Sequence, residues 1–232
     1  MKPYAEEELP IGLMGGTFDP IHMGHIITAE SIKKAFQLDL VYFIPCFLPP
    51  HKERDDIISA AHRYAMVVLA TLDKADLVAS PLEIDRRKRS YTIETIEMFK
   101  NNAASGEQIF FIAGIDSFLT IRTWKQWKKL LVSCHFIINS RPGFSFDELN
   151  TLLPGAFKKK IVDFRTKQGL SKALWENETR LKEGPLIFLC DTPPVDISAT
   201  TIRKKIKRGE DCKGMLPNTV LKYIRKHKLY YN

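Results

Sequence analysis

An α/β fold, a parallel sheet wound with helices on both faces, is expected for this chain on three observations. Short apolar runs of strand length alternate with segments of helical period. One such run leads through two glycines directly into a helix start, the layout of a phosphate-binding turn. The length of 232 residues, with 44% hydrophobic and 27% charged side chains, suits a chain that buries one sizeable core. Strands separated by helices join into a parallel sheet through right-handed crossovers.

The elements follow in order. Ile11–Met14 is a short apolar run that reads as a buried strand, and Met23–Phe36 carries apolar residues at Ile26, Ala29, Ile32 and Phe36, a helical period. The remaining strands are Leu40–Ile44, Leu77–Ala79, Gln108–Ile112, His135–Ile138 and Leu186–Cys190. Helices are expected over Ala60–Leu72, Thr92–Asn101, Ile115–Thr120, Trp127–Leu131, Thr200–Lys207 and Pro217–His227. Pro49-Pro50-His51-Lys52 and Arg141-Pro142-Gly143 are loops. Ser145–Gly184, rich in lysine and polar residues, reads as a helical connection to the last strand rather than a separate domain. A single domain over residues 1–232 is therefore expected, with a core over about 10–190 and a small helical C-terminal part over about 198–232.

Composition narrows the function classes. No apolar run reaches membrane-spanning length, and the acidic start with Glu6, Glu7 and Glu8 is unlike a signal peptide. Cys46, Cys134, Cys190 and Cys212 are scattered without a C-x-x-C pair, which suggests reduced thiols in a cytoplasm, with neither a disulfide frame nor structural zinc. Cys134-His135 lies in an apolar run, where packing is its expected role. The net charge of +8 is uneven: ten Lys or Arg fall between Thr201 and Asn232 against Glu210 and Asp211. Two amphipathic helices with solvated basic faces account for that excess better than a nucleic-acid surface, and a polyphosphate substrate would itself gain from the field. Neither nucleic acid nor membrane is expected as a partner. A homo-oligomer is compatible with the sequence, which carries no readable signature of subunit contacts.

The run Gly15-Gly16-Thr17-Phe18-Asp19-Pro20-Ile21-His22-Met23-Gly24-His25 concentrates the chemistry. Gly15 and Gly16 allow a sharp bend and leave no side chain between the backbone and a ligand. The helix that follows points free N–H groups and a positive dipole end at the same spot. His22 and His25, three apart, share one helical face and can meet one anionic group together. All of this falls at the carboxyl end of a strand, where open α/β sheets bind ligands.

The G-G-T-F-D-P-x-H-x-G-H run resembles the signature of the nucleotidyltransferase superfamily with an H-x-G-H motif. Ile197-Ser198-Ala199-Thr200-Thr201-Ile202-Arg203 is similar to that superfamily's second hallmark, I-S-S/A-T-x-x-R. The resemblance implies a Rossmann-like doubly wound sheet and transfer of a nucleoside monophosphate from a nucleoside triphosphate, with release of pyrophosphate. Such a reaction calls for donors and cations that bring two anions together in line and stabilise charge on the α-phosphate and the departing pyrophosphate. On that reading Gly15, Gly16, Thr17, Phe18, His22 and His25 line the α/β-phosphate side of ATP, and Ser198, Thr200 and Arg203 hold the β/γ-phosphates. His22, His25 and Arg203 are the expected catalytic residues. Ser198 is also a natural N-cap, so its hydroxyl could serve the helix alone. Mg2+ is implied with ATP, held largely by phosphate oxygens and water, and no protein metal site is expected.

Further markers resemble the bacterial nicotinate-nucleotide adenylyltransferases and extend over most of the chain: Ile44 to Lys52, Arg63, Ser90-Tyr91-Thr92, Ala113-Gly114-Ile115-Asp116-Ser117, Thr123-Trp124, Arg141-Pro142-Gly143, and Leu216-Pro217 leading to Leu229-Tyr230. The match is weakest across Ser145–Gly184. This resemblance implies ATP and nicotinate mononucleotide as substrates and a place in NAD biosynthesis. The mononucleotide or dinucleotide would meet His51, Lys52, Tyr91, Thr92, Gly114, Asp116, Trp124 and Arg141. His51 and Lys52 follow two stiffening prolines and can place a cation on a phosphate. Asp116 can accept from ribose hydroxyls or cap a helix. Trp124 offers a face for a pyridine ring, and with Trp127 three residues on, one of the two is structural. Thr92 opens a helix whose N–H groups suit a nicotinate carboxylate. Pantetheine-phosphate adenylyltransferases and cytidylyltransferases share the H-x-G-H chemistry and are the alternatives within the superfamily. A nucleic-acid-binding protein on a remnant of the fold is the alternative outside it.

Overall fold

In the computed structural model, residues 9–49, 57–102, 107–165, 181 and 183–231 are described. They build one seven-stranded sheet. Its strands are β1 (Leu9–Gly16), β2 (Leu40–Pro45), β3 (Leu77–Ala79), β4 (Glu107–Gly114), β5 (His135–Asn139), β6 (Ile161–Asp163) and β7 (Ile187–Cys190). The order across the sheet is β3-β2-β1-β4-β5-β7-β6, and every neighbouring pair is parallel. Central strands of a parallel sheet are covered on both faces, so they read as near-continuous apolar runs. β4 shows how one strand serves two layers. Phe110 and Ile112 enter one core, while Ile109, Phe111 and Ala113 enter the other, because successive side chains alternate across a strand.

The first core is roofed by α1 (Met23–Phe36), α2 (Ala60–Thr71) and the C-terminal helices α9 (Ala199–Lys207) and α10 (Asn218–Lys226), the last two named after the helices introduced next. α1 lays Ile26, Ala29, Ile32 and Phe36 onto the sheet, the face that its periodicity predicts. The turn-long α3 (Leu82–Arg86) packs against β2 and α2, and the second core lies under α4 (Thr92–Asn102), α5 (Ile115–Phe118), α6 (Trp127–Leu130), α7 (Leu149–Leu152) and α8 (Gly155–Lys158). Trp127 packs there on Phe157, with ring centroids 5.6 Å apart, and Trp124 is likewise half-buried against this core. α10 is tied to α2 by Thr219 Oγ1 donating to the Leu69 carbonyl (2.8 Å) and by a 2.9 Å bond between His62 Nδ1 and the Tyr223 hydroxyl.

The six expected strands are present within a residue or two of their predicted ends. The segment from Ser145 needs correcting: its described part is not simply helical but forms a 3-10 turn, the short helices α7 and α8, and the edge strand β6 on β7. Three residues, Ile161-Val162-Asp163, are too few to show an alternating pattern, and Lys158-Lys159-Lys160 before them disguises the run. α3 was also unexpected, being a single charged turn. All four cysteines are free and buried; burial pushes the Cys134 and Cys190 thiols up to about 12. His135 beside Cys134 is held down to about 4, first by burial and then by the nearby Lys100 and Lys160, and its Nδ1 accepts from the Leu186 N–H at 3.1 Å. Both are core groups.

Candidate active site

The strand order reverses direction between β1 and β4, and a parallel sheet opens a crevice at such a switch point, outside the carboxyl ends of its strands. A cleft of about 500 Å³ lies there. Its floor is Gly15 and Gly16 from the end of β1 and Ala113 and Gly114 from the end of β4. Substitution at two of these glycines has definite consequences. A Cβ on Gly16 would stand 2.9 Å from the Phe18 ring, and one on Gly114 would stand 2.3 Å from Asp116 Oδ1 and 3.1 Å from Arg141 Nε.

Phe18 takes left-handed backbone (φ 49°), rare for a residue with a bulky side chain. This turn drives its ring inward, where it is buried, edge-on to both Phe43 (5.7 Å) and His25 (5.0 Å). Phe18 therefore meets the site as a buttress of His25 as well as through its backbone. His22 is the N-cap of α1 in extended conformation and His25 is its third residue. Their rings lie 3.8 Å apart at 30°, so the two imidazoles sit together although only one is helical.

The protonation of this pair follows from its surroundings. His22 is lowered to about 4, first by burial and then by the positive Arg141. His25 is pushed well below the usual range by burial, by His22 and by Arg141. Both rings are thus neutral at neutral pH. The His22 backbone N–H donates to His25 Nδ1 at 3.2 Å, which leaves the single proton of a neutral His25 on Nε2. Among the described residues His22 Nδ1, Asn139 Oδ1 and Arg141 Nε are buried without a hydrogen-bond partner, and all three residues line the cleft. Buried orphan polar atoms are costly, and a polar ligand would satisfy them.

The second motif forms the opposite wall. Ser198 caps α9, its Oγ accepting from the Thr201 N–H at 3.1 Å and bonding Thr201 Oγ1 at 2.9 Å. The capping role foreseen for this hydroxyl is thus filled, and Ser198 also lines the cleft. Arg203 donates to the Asp19 carbonyl (2.7 Å) and to Thr200 Oγ1 (3.2 Å), which fixes its guanidinium at the cleft beside the first motif. The Met23 N–H donates to the Met215 carbonyl (2.9 Å), a further tie between the C-terminal part and the start of α1.

Of the remaining expected residues, Thr92, Gly114, Asp116, Trp124 and Arg141 line the cleft together with Thr17. Trp124 stands edge-on to Phe111 at 6.2 Å. Tyr91 is not among the residues that line this cleft, and Lys125 Nζ covers its ring at 4.6 Å. The reason is the start of α4 at Thr92, where Tyr91 is the residue before the first helical one. His51 and Lys52 lie outside the described residues.

Sequence reasoning missed Asp19, Thr28, Glu83 and Asn139, which also line the cleft. Asn139 had a signal: a polar residue closing the apolar run His135–Ile138 at a carboxyl strand end. Asp19 sat inside the quoted motif. Glu83 had none, since the turn that carries it is too short to read. Its buried carboxyl accepts from the Thr95 hydroxyl, and burial raises it above the usual carboxylate range. Arg63, noted only as a marker, is fully buried and holds three backbone carbonyls at once: Thr17 (2.7 Å), Phe47 (2.8 Å) and Ile58 (3.1 Å). It ties the phosphate turn to the loop after β2.

Among the described residues no three His, Cys, Asp or Glu side chains cluster as a metal cage, and no helix is long and apolar enough to cross a membrane. The arrangement as a whole offers permanent cations (Arg141, Arg203), neutral imidazole donors and backbone N–H groups around one concave space. It suits a polyanion.

Comparison with known proteins agrees with this geometry. The cytidylyltransferase-like family pattern matches residues 13–205. A protein of Thermoanaerobacter sp. (strain X514) named as a probable nicotinate-nucleotide adenylyltransferase is 38% identical over 225 residues, covering 97% of this chain and 96% of that protein. One of the same name from Pseudomonas aeruginosa (strain UCBPP-PA14) is 34% identical, covering 95% and 96%. Among solved structures, Plasmodium falciparum nicotinic acid mononucleotide adenylyltransferase complexed with NaAD superposes with a TM-score of 0.69 at 20% identity, over 96% of this chain and 98% of that one. That last likeness concerns the fold.

Proposed function

This chain belongs to the cytidylyltransferase-like family, within its nicotinate-nucleotide adenylyltransferase branch, and we propose that the cleft at the β1/β4 switch point is where it does that branch's chemistry. The enzyme condenses ATP with nicotinate mononucleotide to give nicotinate adenine dinucleotide and pyrophosphate, a step of NAD biosynthesis. The whole chain acts as one nucleotidyltransferase domain, its C-terminal helices closing the triphosphate side.

The chemistry needs no covalent enzyme nucleophile. A phosphate oxygen of the mononucleotide, already anionic, attacks the α-phosphorus of ATP; the bond to the bridging oxygen breaks and pyrophosphate leaves with the electron pair. The protein's task is to hold two anions in line and to stabilise the growing charge. His25 Nε2–H and His22 serve the α-phosphate, with Gly15, Gly16, Thr17 and the Phe18 backbone beside them. Arg203, Thr200 and Ser198 serve the leaving pyrophosphate. The single observation that carries this reading is the close, neutral His22–His25 pair in the same cleft as Arg203. ATP would enter as its magnesium complex, the ion being one that phosphate oxygens and water can largely hold.

For the acceptor, Asp116 and Gly114 meet a ribose, Arg141 a phosphate or the nucleoside beyond it, and Trp124 the pyridine ring. The start of α4 at Thr92 receives the nicotinate carboxylate, for which a neutral carboxamide gains less. The test is pyrophosphate release with magnesium and ATP, comparing nicotinate mononucleotide, nicotinamide mononucleotide and phosphopantetheine. Fast release with the nicotinate form alone is expected. Equal efficiency with the two pyridine nucleotides would overturn the assignment of Thr92. Release with phosphopantetheine alone would overturn the branch.

A further inference from the structure

The end of the chain returns to its first loop. After α10 the backbone takes left-handed conformations at Lys228 (φ 48°) and Tyr230 (φ 68°). Residues with side chains hold that conformation only where their surroundings over-determine it. Leu229 between them is buried in the first core and its N–H donates to the Ile224 carbonyl at 3.0 Å. So anchored, the turn delivers the Tyr230 hydroxyl to Asp19 Oδ1 at 2.7 Å, across 211 residues of sequence.

Asp19 is 4% exposed and sits between two groups. Its carbonyl accepts from Arg203 at 2.7 Å, a normal charge-assisted bond. Its carboxylate, in contrast, stops 3.9 Å short of the same guanidinium, too far for a hydrogen bond. A buried carboxylate needs donors, and two stand beside it, the Arg203 guanidinium and the Tyr230 hydroxyl, of which only the tyrosine is within hydrogen-bond distance. The Tyr230 hydroxyl, kept protonated by burial and by the adjacent Asp19 charge, is the donor that the carboxylate meets at hydrogen-bond distance, while Arg203 stays in the looser ion pair.

We propose that Tyr230 is a positioning residue for adenylyl transfer: it holds the Asp19 carboxylate off Arg203, so that the guanidinium remains available to phosphate. The inference rests on the assignment of Arg203 to the triphosphate in the preceding section. It makes the end of the chain part of the working site, a role that its distance in sequence conceals. Without the hydroxyl, Asp19 swings onto Arg203, and the triphosphate then competes with an internal carboxylate.

The experiment compares wild type, Tyr230→Phe, the double variant Asp19→Asn/Tyr230→Phe, and Tyr231→Phe as a neighbouring hydroxyl removed from an exposed position. Two quantities are read: pyrophosphate release, and calorimetric affinity for magnesium with a non-hydrolysable ATP analogue, which needs no acceptor. Tyr230→Phe is expected to lose about tenfold in affinity for the analogue and in kcat/KM for ATP, the scale of one bond to a charged group. The KM for the mononucleotide stays within about twofold of wild type, a bound set by the absence of any change at its subsite. Asp19→Asn in the Tyr230→Phe background removes the competing charge and recovers most of the loss. A purely structural tyrosine would give no such rescue. Wild-type affinity in Tyr230→Phe, or a double variant no better than Tyr230→Phe alone, overturns the proposal. Wild type that binds the analogue yet releases no pyrophosphate overturns the functional reading instead.

Discussion

Acid should destabilise this protein well above the usual carboxylate range, and the buried histidines set the size of the effect. His22 and His135 are both lowered from 6.5 to about 4. In the unfolded chain they titrate near 6.5. Between these values the unfolded state binds more protons, so stability rises with pH across the window and is lost as pH falls through it. From pH 7 to pH 5 each such histidine costs about 2 kcal/mol, and the pair about 4 kcal/mol. His25, lowered further, adds to the same sign. That loss is a large part of an ordinary domain's stability, about 5–15 kcal/mol. Glu83 opposes it: burial raises its pKa, so the native state takes up that proton first and regains stability as pH falls toward 4.5. Glu94 and Asp163 are lowered, and their contributions fade only below the window. The assay is urea unfolding followed by tryptophan fluorescence at pH 7, 6 and 5, with the slope against urea held as a check on two-state behaviour. His135→Gln keeps an acceptor for the Leu186 N–H and should remove about half of the pair's acid loss, since each member contributes equally. Glu83→Gln should steepen the loss. A free energy that stays flat from pH 7 to pH 5 in Glu83→Gln would refute the assignment of neutral buried histidines.

Three other changes have defined outcomes. His25→Ala should lower kcat by about 10²–10³-fold, as loss of a preorganised transition-state donor does, with the native circular dichroism spectrum retained; near-normal turnover would move the phosphate site elsewhere. Arg63→Met takes the donor from three backbone carbonyls and should cost about 3 kcal/mol in urea unfolding, together with a raised KM for both substrates, because the Thr17 and Phe47 loops lose their common anchor. Gly114→Ala puts a methyl 2.3 Å from Asp116 Oδ1, so that carboxylate must leave its place; a rise of about tenfold in the KM of a ribose-bearing substrate is expected, and an unchanged KM would show that Asp116 touches no substrate.

The sheet was legible because its strands are buried on both faces, so that a run such as Ile109-Phe110-Phe111-Ile112 carries an unbroken apolar signal. The cleft was legible for a different reason: Gly15-Gly16, Gly114 and Arg141 all sit at carboxyl strand ends, and parallel topology brings those ends together whatever lies between. What stayed hidden depends on contacts without local pattern. β6 gains its strand conformation from pairing with β7, not from three residues of its own. Glu83 is buried because the turn that carries it packs against β2 and α2 and its carboxyl meets Thr95 of α4. Tyr91 and Thr92 are neighbours in sequence, yet only Thr92 lines the cleft, a distinction set by where α4 begins. Tyr230 reaches Asp19 through two left-handed residues that have no glycine to announce them.

The charge state of the cleft gives the arrangement its sense. Two fixed guanidiniums, Arg141 and Arg203, already face the space where a polyanion would sit. Two more charges on these neighbouring imidazoles would repel them and one another, and burial together with Arg141 keeps His22 neutral down to about 4. A triphosphate brings the opposite charge into the same low-dielectric space, and opposite charge at short range favours the protonated ring. The donors that are neutral without an anion are therefore strengthened by the anion they bind, most of all when charge grows on the α-phosphate in the transition state. On the proposed assignment the histidines would add little to ground-state attraction and more to the transition state, the distribution that raises kcat rather than merely lowering KM. A lysine in either place would carry its charge throughout and lose that difference, which is a physical reason for imidazoles at His22 and His25.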